Sequence, residues 1–274
     1  MPDFWLGPKA AARGYRLHGF DTIGSTSTAA ADAARAGDAG DVWFAALQQT
    51  AGRGRRGRAW ESPHGNLAAS LLVVPGCDPA VAATLGFVAG VALHEALREV
   101  LPTAVIRSGV DGADAGTGRI ALKWPNDVLA DGAKLAGILL EALKRPDGSH
   151  AVVIGIGVNV VAAPEGLPYP ATSLAVLGSE ASAEPLFAAL SDAWCDAFEV
   201  WNNGRGVPDV LALWRQAAAG IGAEVAVSRD GDVVRGIFET IDDTGRLIVR
   251  ANDNSRVVIT AGDVHFGVTA TAGR

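Results

Sequence analysis

The chain is poor in cysteine, in lysine and in long apolar runs. Its 274 residues include two cysteines, Cys77 and Cys195. Two cannot build a disulfide framework, and they match no metal-ligand spacing, so a reducing cytoplasm is the expected setting and both are read as packing residues. No stretch approaches the roughly 18 uninterrupted apolar residues of a membrane span. Met1 to Gly14 holds no cationic segment leading into an apolar one, so no signal peptide is expected. The phosphate-loop pattern, the G-x-S-x-G nucleophile elbow and the H-E-x-x-H zinc pair are all missing. The five histidines (His18, His64, His94, His150 and His265) are scattered, and His94 beside Glu95 reads as structural.

Positive charge is scarce as well. Lys and Arg together number 23 against 30 Asp and Glu, a net charge of −7 with a pI near 5.2. A surface bound mainly by phosphate backbones is usually basic, so nucleic acid is not an expected partner, and neither is a membrane. Only Lys9, Lys123, Lys134 and Lys144 are lysines, which leaves 19 arginines. Four of those, Arg53, Arg55, Arg56 and Arg58, crowd into six positions. Hydrophobic residues make up 49% of the chain, which excludes disorder. The length allows one large domain with a small companion.

Arg16 to Phe20 reads as a strand followed by a turn at Asp21 to Gly24. Ser25 or Thr26 caps a helix running to Ala36, with Gly37 as its stop. Val42 to Leu47 and Leu67 to Val74 are buried strands, and Gln49 to Pro63 is a loop. The spacing of Val81, Leu85, Val88 and Ala92 predicts one helix from Pro79 towards Val100. Ile120 to Trp124 and Lys134 to Leu143 read as two strands joined by a turn, with Ala151 to Val161 a third. A helix with Pro185 in its first turn places Leu186, Leu190, Trp194 and Trp201 on one face, and another runs from Pro208 to Ala219. Past Gly220 come short strands separated by turns, the pattern of a small barrel. The expected fold is α+β: residues 1–220 form a domain with a mixed β-sheet, and residues 221–274 a small all-β domain.

Three segments carry chemistry. Gln49 to Arg58 alternates three glycines with cations. Glycine permits close backbone approach, and arginine forks bind phosphate or carboxylate. The segment fits a loop closing on an anionic ligand, and equally a solvated Arg/Gly patch. In Lys123-Trp124-Pro125-Asn126-Asp127, followed by Lys134 to Leu139, Lys134 enters an otherwise apolar strand and should face a cleft or an anion, since lysine is rarely buried unpaired. A snorkelling lysine at a strand end is the plainer alternative. Gly155-Ile156-Gly157-Val158-Asn159 places two glycines inside a strand, which implies either a close neighbour or a bulge.

The order and spacing of these segments closely resemble the biotin–protein ligases over most of residues 20–175, and Ala171-Thr172-Ser173-Leu174 is similar to that family's segment over the nucleotide. The resemblance implies a fold like that of the class II synthetases, with an SH3-like C-terminal barrel. It implies activation of biotin by ATP and Mg²⁺ to biotinyl-5′-AMP, then transfer to a lysine of a biotin carboxyl carrier domain. By carry-over, Ser25, Thr26 and Gln49 hold the biotin ureido head, and Gly52 and Arg53 the carboxylate side. Lys134 bridges carboxylate and α-phosphate, and Gly137 leaves room for the rings. Arg55 closes the loop, while Trp60, Asn126, Asn159 and Thr172 lie at the nucleotide. Asp127 contacts the metal, and Arg56 and Arg58 are solvated loop charges. Lys134, Arg53 and Arg55 are the implied catalytic set.

Ser27 stands where the family often has Asn, and residues 111–118 read as a surface insertion. The first motif begins at residue 24, leaving no space for the winged helix of some members, so no repressor function is expected. The implied protein is a monomer or homodimer. Lipoate or octanoate ligation on the same fold, a non-catalytic biotin sensor and an Arg/Gly nucleic-acid module are the rival readings. With no partner anion, four like charges should keep the arginine loop mobile.

Overall fold

The structure, a computed structural model, describes residues 3–101, 120–229 and 232–266. The expected insertion at 111–118 lies outside them. A short helix α1 (Pro8–Ala12) leads into β1 (Arg16–Ile23), α2 (Thr26–Arg35), β2 (Val42–Gln49) and β3 (Leu67–Val73). Helices α3 (Pro79–Ala82) and α4 (Leu85–Val100) precede β4 (Ile120–Lys123), β5 (Asp127–Ala130), β6 (Ala133–Lys144) and β7 (His150–Val158). Helices α5 (Ala183–Trp201) and α6 (Val207–Gln216) follow. The strands form one seven-stranded sheet, ordered β1-β2-β3-β7-β6-β5-β4. The β1–β2 pair is parallel and the other neighbours are antiparallel, so the sheet is mixed as expected.

Both sheet faces are covered, which is why the strands read as continuous apolar runs rather than alternating ones. Along β3, Leu67, Ala69, Leu71 and Val73 enter the main core with α4 and α5, where Phe187, Leu190, Trp194 and Trp201 are fully buried. Leu72 points the other way, with Val42, Phe44 and Val153, onto the alanine face of α2 (Ala30, Ala31, Ala34). Ser25 caps α2, its Oγ accepting from the Thr28 N–H at 3.3 Å, and Gly37 beyond the end has φ +88°.

Some boundaries differ from the sequence reading. The expected turn at Asp21 to Gly24 is largely strand, because β1 pairs with β2 as far as Ile23–Gln49. The single helix over 79–100 is two: Asp78 caps the first, its side chain accepting from Ala80 N–H, and Thr84 separates it from the second. That stretch is apolar enough to cross a membrane by composition, but most of its residues are buried in the core. Strand β5 is an addition, set between the Pro125–Asn126 turn and the Asp131–Gly132 turn, whose residues have φ +49° and +78°.

The C-terminal strands are β8 (Glu224–Arg229), β9 (Asp232–Ile241), β10 (Leu247–Arg250), β11 (Arg256–Ile259) and β12 (Asp263–Phe266). They form an antiparallel sheet ordered β11-β10-β9-β8-β12, and no pairing among the described residues closes it into a barrel. Its core is continuous with the larger one. The Trp124 indole N–H donates to the Gly245 carbonyl at 2.9 Å. Just after α6, Leu122 N–H donates to Ala217 O at 2.7 Å and Ala219 N–H to Leu122 O at 2.8 Å.

Candidate active site

One row of the large sheet has almost no side chains. Reading across the ladder, Ala46 lies opposite Ala68, Ala68 opposite Gly157, and Gly157 opposite Gly137. The row continues from Gly137 to Asp127 and from Asp127 to Lys123. Directly opposed residues share a face. The result is a furrow with a floor of backbone and methyl groups and a charged end. It opens on the side of α2, where a Cβ at Gly155 would stand 2.7 Å from Ser27 Oγ. The expectation of close approach at Gly155 and Gly157 therefore holds, and a bulge is not needed to explain the glycines.

The neighbour at Gly157 is Trp60. A Cβ there would overlap the indole, and one at Gly137 would stand 3.2 Å from it. Trp60 is carried by the arginine segment, which folds as an antiparallel hairpin. Bridges join Gln49 to Ser62 and Arg53 to Ala59, and Trp60 N–H donates to Gly52 O at 3.0 Å. A Cβ at Gly52 would overlap the Trp60 carbonyl, which explains that glycine. At the tip, Arg56 and Gly57 have φ +56° and +73°.

The hairpin's charges are met by carboxylates of the protein itself. Arg53 lies 3.5 Å from Glu141. Asp263 of β12 faces Arg56 at 2.9 Å and Arg55 and Arg58 at 3.7 Å each. Arg56 and Arg58, expected as free solvated charges, thus share a carboxylate from the C-terminal sheet. Two carboxylates, Glu141 and Asp263, offset part of the repulsion expected among the four arginines.

Lys134 sits at the furrow's charged end. Its ammonium is 2.8 Å from Asp127, and the rings of Trp60 and Tyr169 lie 5.6 Å away. Asp127, the expected metal contact, has its carboxylate on this lysine. Among the described residues no three His, Cys, Asp or Glu side chains group as a metal site. At the other end, Gln49 Oε1 accepts from Thr26 N–H at 2.8 Å and Thr26 Oγ at 3.1 Å. Ser70 ties Thr26 Oγ (2.8 Å) to Ser27 Oγ (3.0 Å). A cavity of about 490 Å³ lies beside the hairpin, between Gln49, Gly52, Trp60 and Ser62 and the Ala163 to Glu165 segment, and does not reach Lys134 or Gly137.

The segment around Thr172 runs along the start of β6. Lys134 N–H donates to Pro170 O, and Thr172 N–H to Lys134 O. Asn159 donates its amide to Thr172 O at 3.1 Å, while its Oδ1 is buried without a partner. Asn126 donates to Ile138 O at 3.0 Å, so its amide is spent on the turn. The structure therefore brings Thr26, Gln49, Gly52, Arg53, Trp60, Asp127, Lys134 and Gly137 around one furrow. Ser25 flanks it as the helix cap. Arg55 reaches towards β12. Sequence reasoning missed Ser70, Glu141, Tyr169 and Asp263. Tyr169, two residues before the Ala171 to Leu174 segment, had the nearest signal. Asp263 had none, because only the tertiary fold carries β12 to the hairpin.

Comparison with known proteins agrees with this geometry. The signature described as the biotin/lipoate A/B protein ligase family matches residues 20–159, and that of the biotin protein ligase C-terminal domain matches residues 220–267. A biotin–acetyl-CoA-carboxylase ligase of Paracoccus denitrificans is 38% identical over 242 residues, covering 84% of this chain and 92% of the relative. One from Mycobacterium tuberculosis is 36% identical, covering 93% of this chain and 90% of the relative. A solved biotin protein ligase from Aquifex aeolicus, in complex with biotin and ATP, shares the fold with TM-score 0.74 at 22% identity, covering 92% of this chain and 99% of its own. This chain belongs to the biotin protein ligase family.

Proposed function

We propose that the protein is an ATP-dependent biotin–protein ligase that activates biotin as biotinyl-5′-AMP and transfers the acyl group to a lysine of a biotin carboxyl carrier domain. The observation that carries this reading is the furrow itself. Its floor carries no bulky side chain, the Trp60 indole lies over Gly137 and Gly157, and it has an amide and hydroxyl cluster on one side and cations at its end. A flat bicyclic head with a ureido group and an anionic tail matches that layout. Gln49, Thr26 and Ser25 offer hydrogen-bonding groups for the head, and Gly137 and Gly157 let the rings lie close to the sheet once the Trp60 indole gives way. Gly52 and Arg53 meet the tail.

The first step joins two anions. A biotin carboxylate oxygen attacks the α-phosphorus of ATP, a new O–P bond forms, and the α–β bond breaks with its electron pair leaving on pyrophosphate. Positive charge fixed in advance is the main requirement. Lys134 meets the carboxylate and the α-phosphate, and Arg53 and Arg55 hold the groups on either side. Displacing Asp127 from Lys134 frees the ammonium for the ligand. In the second step the acceptor amine attacks the acyl carbon, loses a proton, and AMP leaves. The nucleophile belongs to the acceptor, so this chain needs none.

The buried, unpartnered Oδ1 of Asn159 supports a nucleotide hydrogen bond there, with Thr172 and Trp60 beside it. Asn126 serves that region through the turn it closes. The described donors do not fit a resident magnesium. Mg²⁺ would enter on the nucleotide's phosphate oxygens, and Asp127 would be open to it once displaced from Lys134. We place the catalytic domain at residues 1–220, the small domain at 221–274, and the protein in the cytoplasm as a monomer or homodimer.

The test is biotin-dependent exchange of labelled pyrophosphate into ATP, with lipoate and octanoate in parallel. Exchange with biotin alone is expected. Exchange with lipoate or octanoate instead would reassign the substrate, and no exchange in folded protein would leave a binding role.

A further inference from the structure

Behind the groups that grip the ligand stands a hydroxyl that neither reaction step uses. Ser70 lies on β3, two residues along from Ala68 and on the same face, opposite Phe44 of β2 and Gly155 of β7. It is fully buried, at 0% exposure, and its neighbours along the strand are Ala68, Ala69 and Leu71. Alanine would pack as well there, and a buried hydroxyl is tolerated only where it is hydrogen-bonded. Among the described residues its partners are two side chains from the first turn of α2, Thr26 Oγ at 2.8 Å and Ser27 Oγ at 3.0 Å. Gly155 permits that approach, since a Cβ there would stand 2.7 Å from Ser27 Oγ.

Counting protons fixes the direction of these bonds. A hydroxyl has one proton to give and two lone pairs to receive. Gln49 Oε1 accepts from Thr26 N–H at 2.8 Å and stands 3.1 Å from Thr26 Oγ. An amide oxygen has no proton, so the Thr26 proton lies on that line; otherwise two acceptors would face each other. The Thr26–Ser70 bond then uses the Ser70 proton, and the Ser70–Ser27 bond uses the Ser27 proton. The chain runs one way, from Ser27 through Ser70 and Thr26 to Gln49. It leaves Ser27 Oγ with lone pairs alone, Thr26 Oγ with one lone pair, and Gln49 with the two protons of Nε2.

We propose that Ser70 is a positioning residue for substrate selection: by taking the Ser27 proton it makes Ser27 an acceptor-only group at the hydroxyl end of the furrow. The site then favours a head that presents N–H groups beside a carbonyl and rejects a head without N–H. Ser70 itself touches no ligand. The inference deepens the biotin reading and rests on it. A ureido ring gives N–H to Ser27 and Thr26 and receives from Gln49 Nε2. A dithiolane or a plain alkyl chain leaves those lone pairs buried and unpaired, and that penalty is what excludes it.

The experiment uses the full chain with Ser70→Ala, Ser27→Ala and the double variant. Calorimetry without nucleotide reads biotin affinity, pyrophosphate exchange reads KM and kcat, and lipoate, read by its competition with biotin, serves as the head without N–H. In Ser70→Ala biotin affinity should fall roughly three- to tenfold, the loss of one hydrogen bond. The KM for biotin should rise with it, while kcat at saturation and the KM for ATP keep their wild-type values. Lipoate affinity should not fall, so the preference for biotin narrows by the same factor. Ser27→Ala should lose a similar amount, and the double variant no more than the larger single loss, because the two act as one unit. Additive losses would show that Ser70 only packs and would overturn the proposal. So would wild-type biotin affinity in Ser70→Ala, or an equal loss for lipoate. Biotin binding that depends on Ser70 and Ser27, without biotin-dependent exchange, would sink the ligase reading and leave the hydroxyl chain standing. A wild-type chain that binds no biotin would overturn both.

Discussion

At the scale of single residues, the two ends of the furrow should separate in kinetics. Gln49→Ala removes the acceptor held by Thr26. Calorimetry should find biotin affinity lowered, with turnover at saturation changed less. Lys134→Ala should leave biotin bound but slow adenylation by roughly 10²–10³-fold, the usual cost of removing one preorganised electrostatic contact. Unchanged turnover would take Lys134 out of the mechanism. Gly157→Ala tests the floor, since its methyl would overlap the Trp60 indole. Biotin and ATP affinities should both fall while the melting temperature moves little, because the hairpin can lift away. Much of this was legible in the sequence: the glycines of the furrow, Gln49, Trp60 and Lys134 all occupy motif positions. Glu141 and Asp263 were not, because their partners come from distant segments. No periodicity marks a carboxylate that will meet an arginine more than 200 positions away in the chain.

At the scale of elements, local chemistry decided what could be read. Helix α2 was visible because its cap and its glycine stop are both local. Strand β5 was overlooked, although Asp131–Gly132 is the turn pair that favours a tight hairpin. The β9–β10 turn offers a comparable test. Burial would raise the Asp242 pKa, but hydrogen bonds from Arg246 and Thr244 outweigh it and hold the carboxyl at about 2, below its ordinary 3.8. A depressed pKa contributes stability that is complete above the unfolded value and is lost as pH falls through the folded one. The contribution, on the order of 2 kcal/mol, should therefore disappear between about pH 4 and pH 2. Urea unfolding of Asp242→Asn should show lower stability at pH 7 and a smaller loss on acidification to pH 3. Parallel pH profiles for variant and wild type would contradict this.

At the scale of the whole molecule, the sequence suggested a large domain carrying a small one, and the structure packs the described residues of both around one apolar core. The pattern change after Gly220 was readable. The merger was not, because Trp124, Phe87 and Gly245 come from three separate elements. A shared core predicts a single unfolding transition, coincident by far-UV circular dichroism and tryptophan fluorescence. Two separated transitions would show that the C-terminal sheet folds independently. Trp124→Phe, which strands the Gly245 carbonyl, should lower stability by about 1–3 kcal/mol and shift both signals together.

The furrow's floor has a consequence for substrate range. Most pockets are shaped by side chains, so trimming one enlarges them. Here the lowest part is already main chain and methyl groups, at Ala46, Ala68, Gly137 and Gly157. Point changes to the glycines can raise this floor but cannot lower it. Any drift towards a thicker ligand has to come from the roof, through α2 or the hairpin bearing Trp60, and those same pieces carry the groups that grip the substrate. Making room and keeping hold are therefore opposed tasks in this architecture.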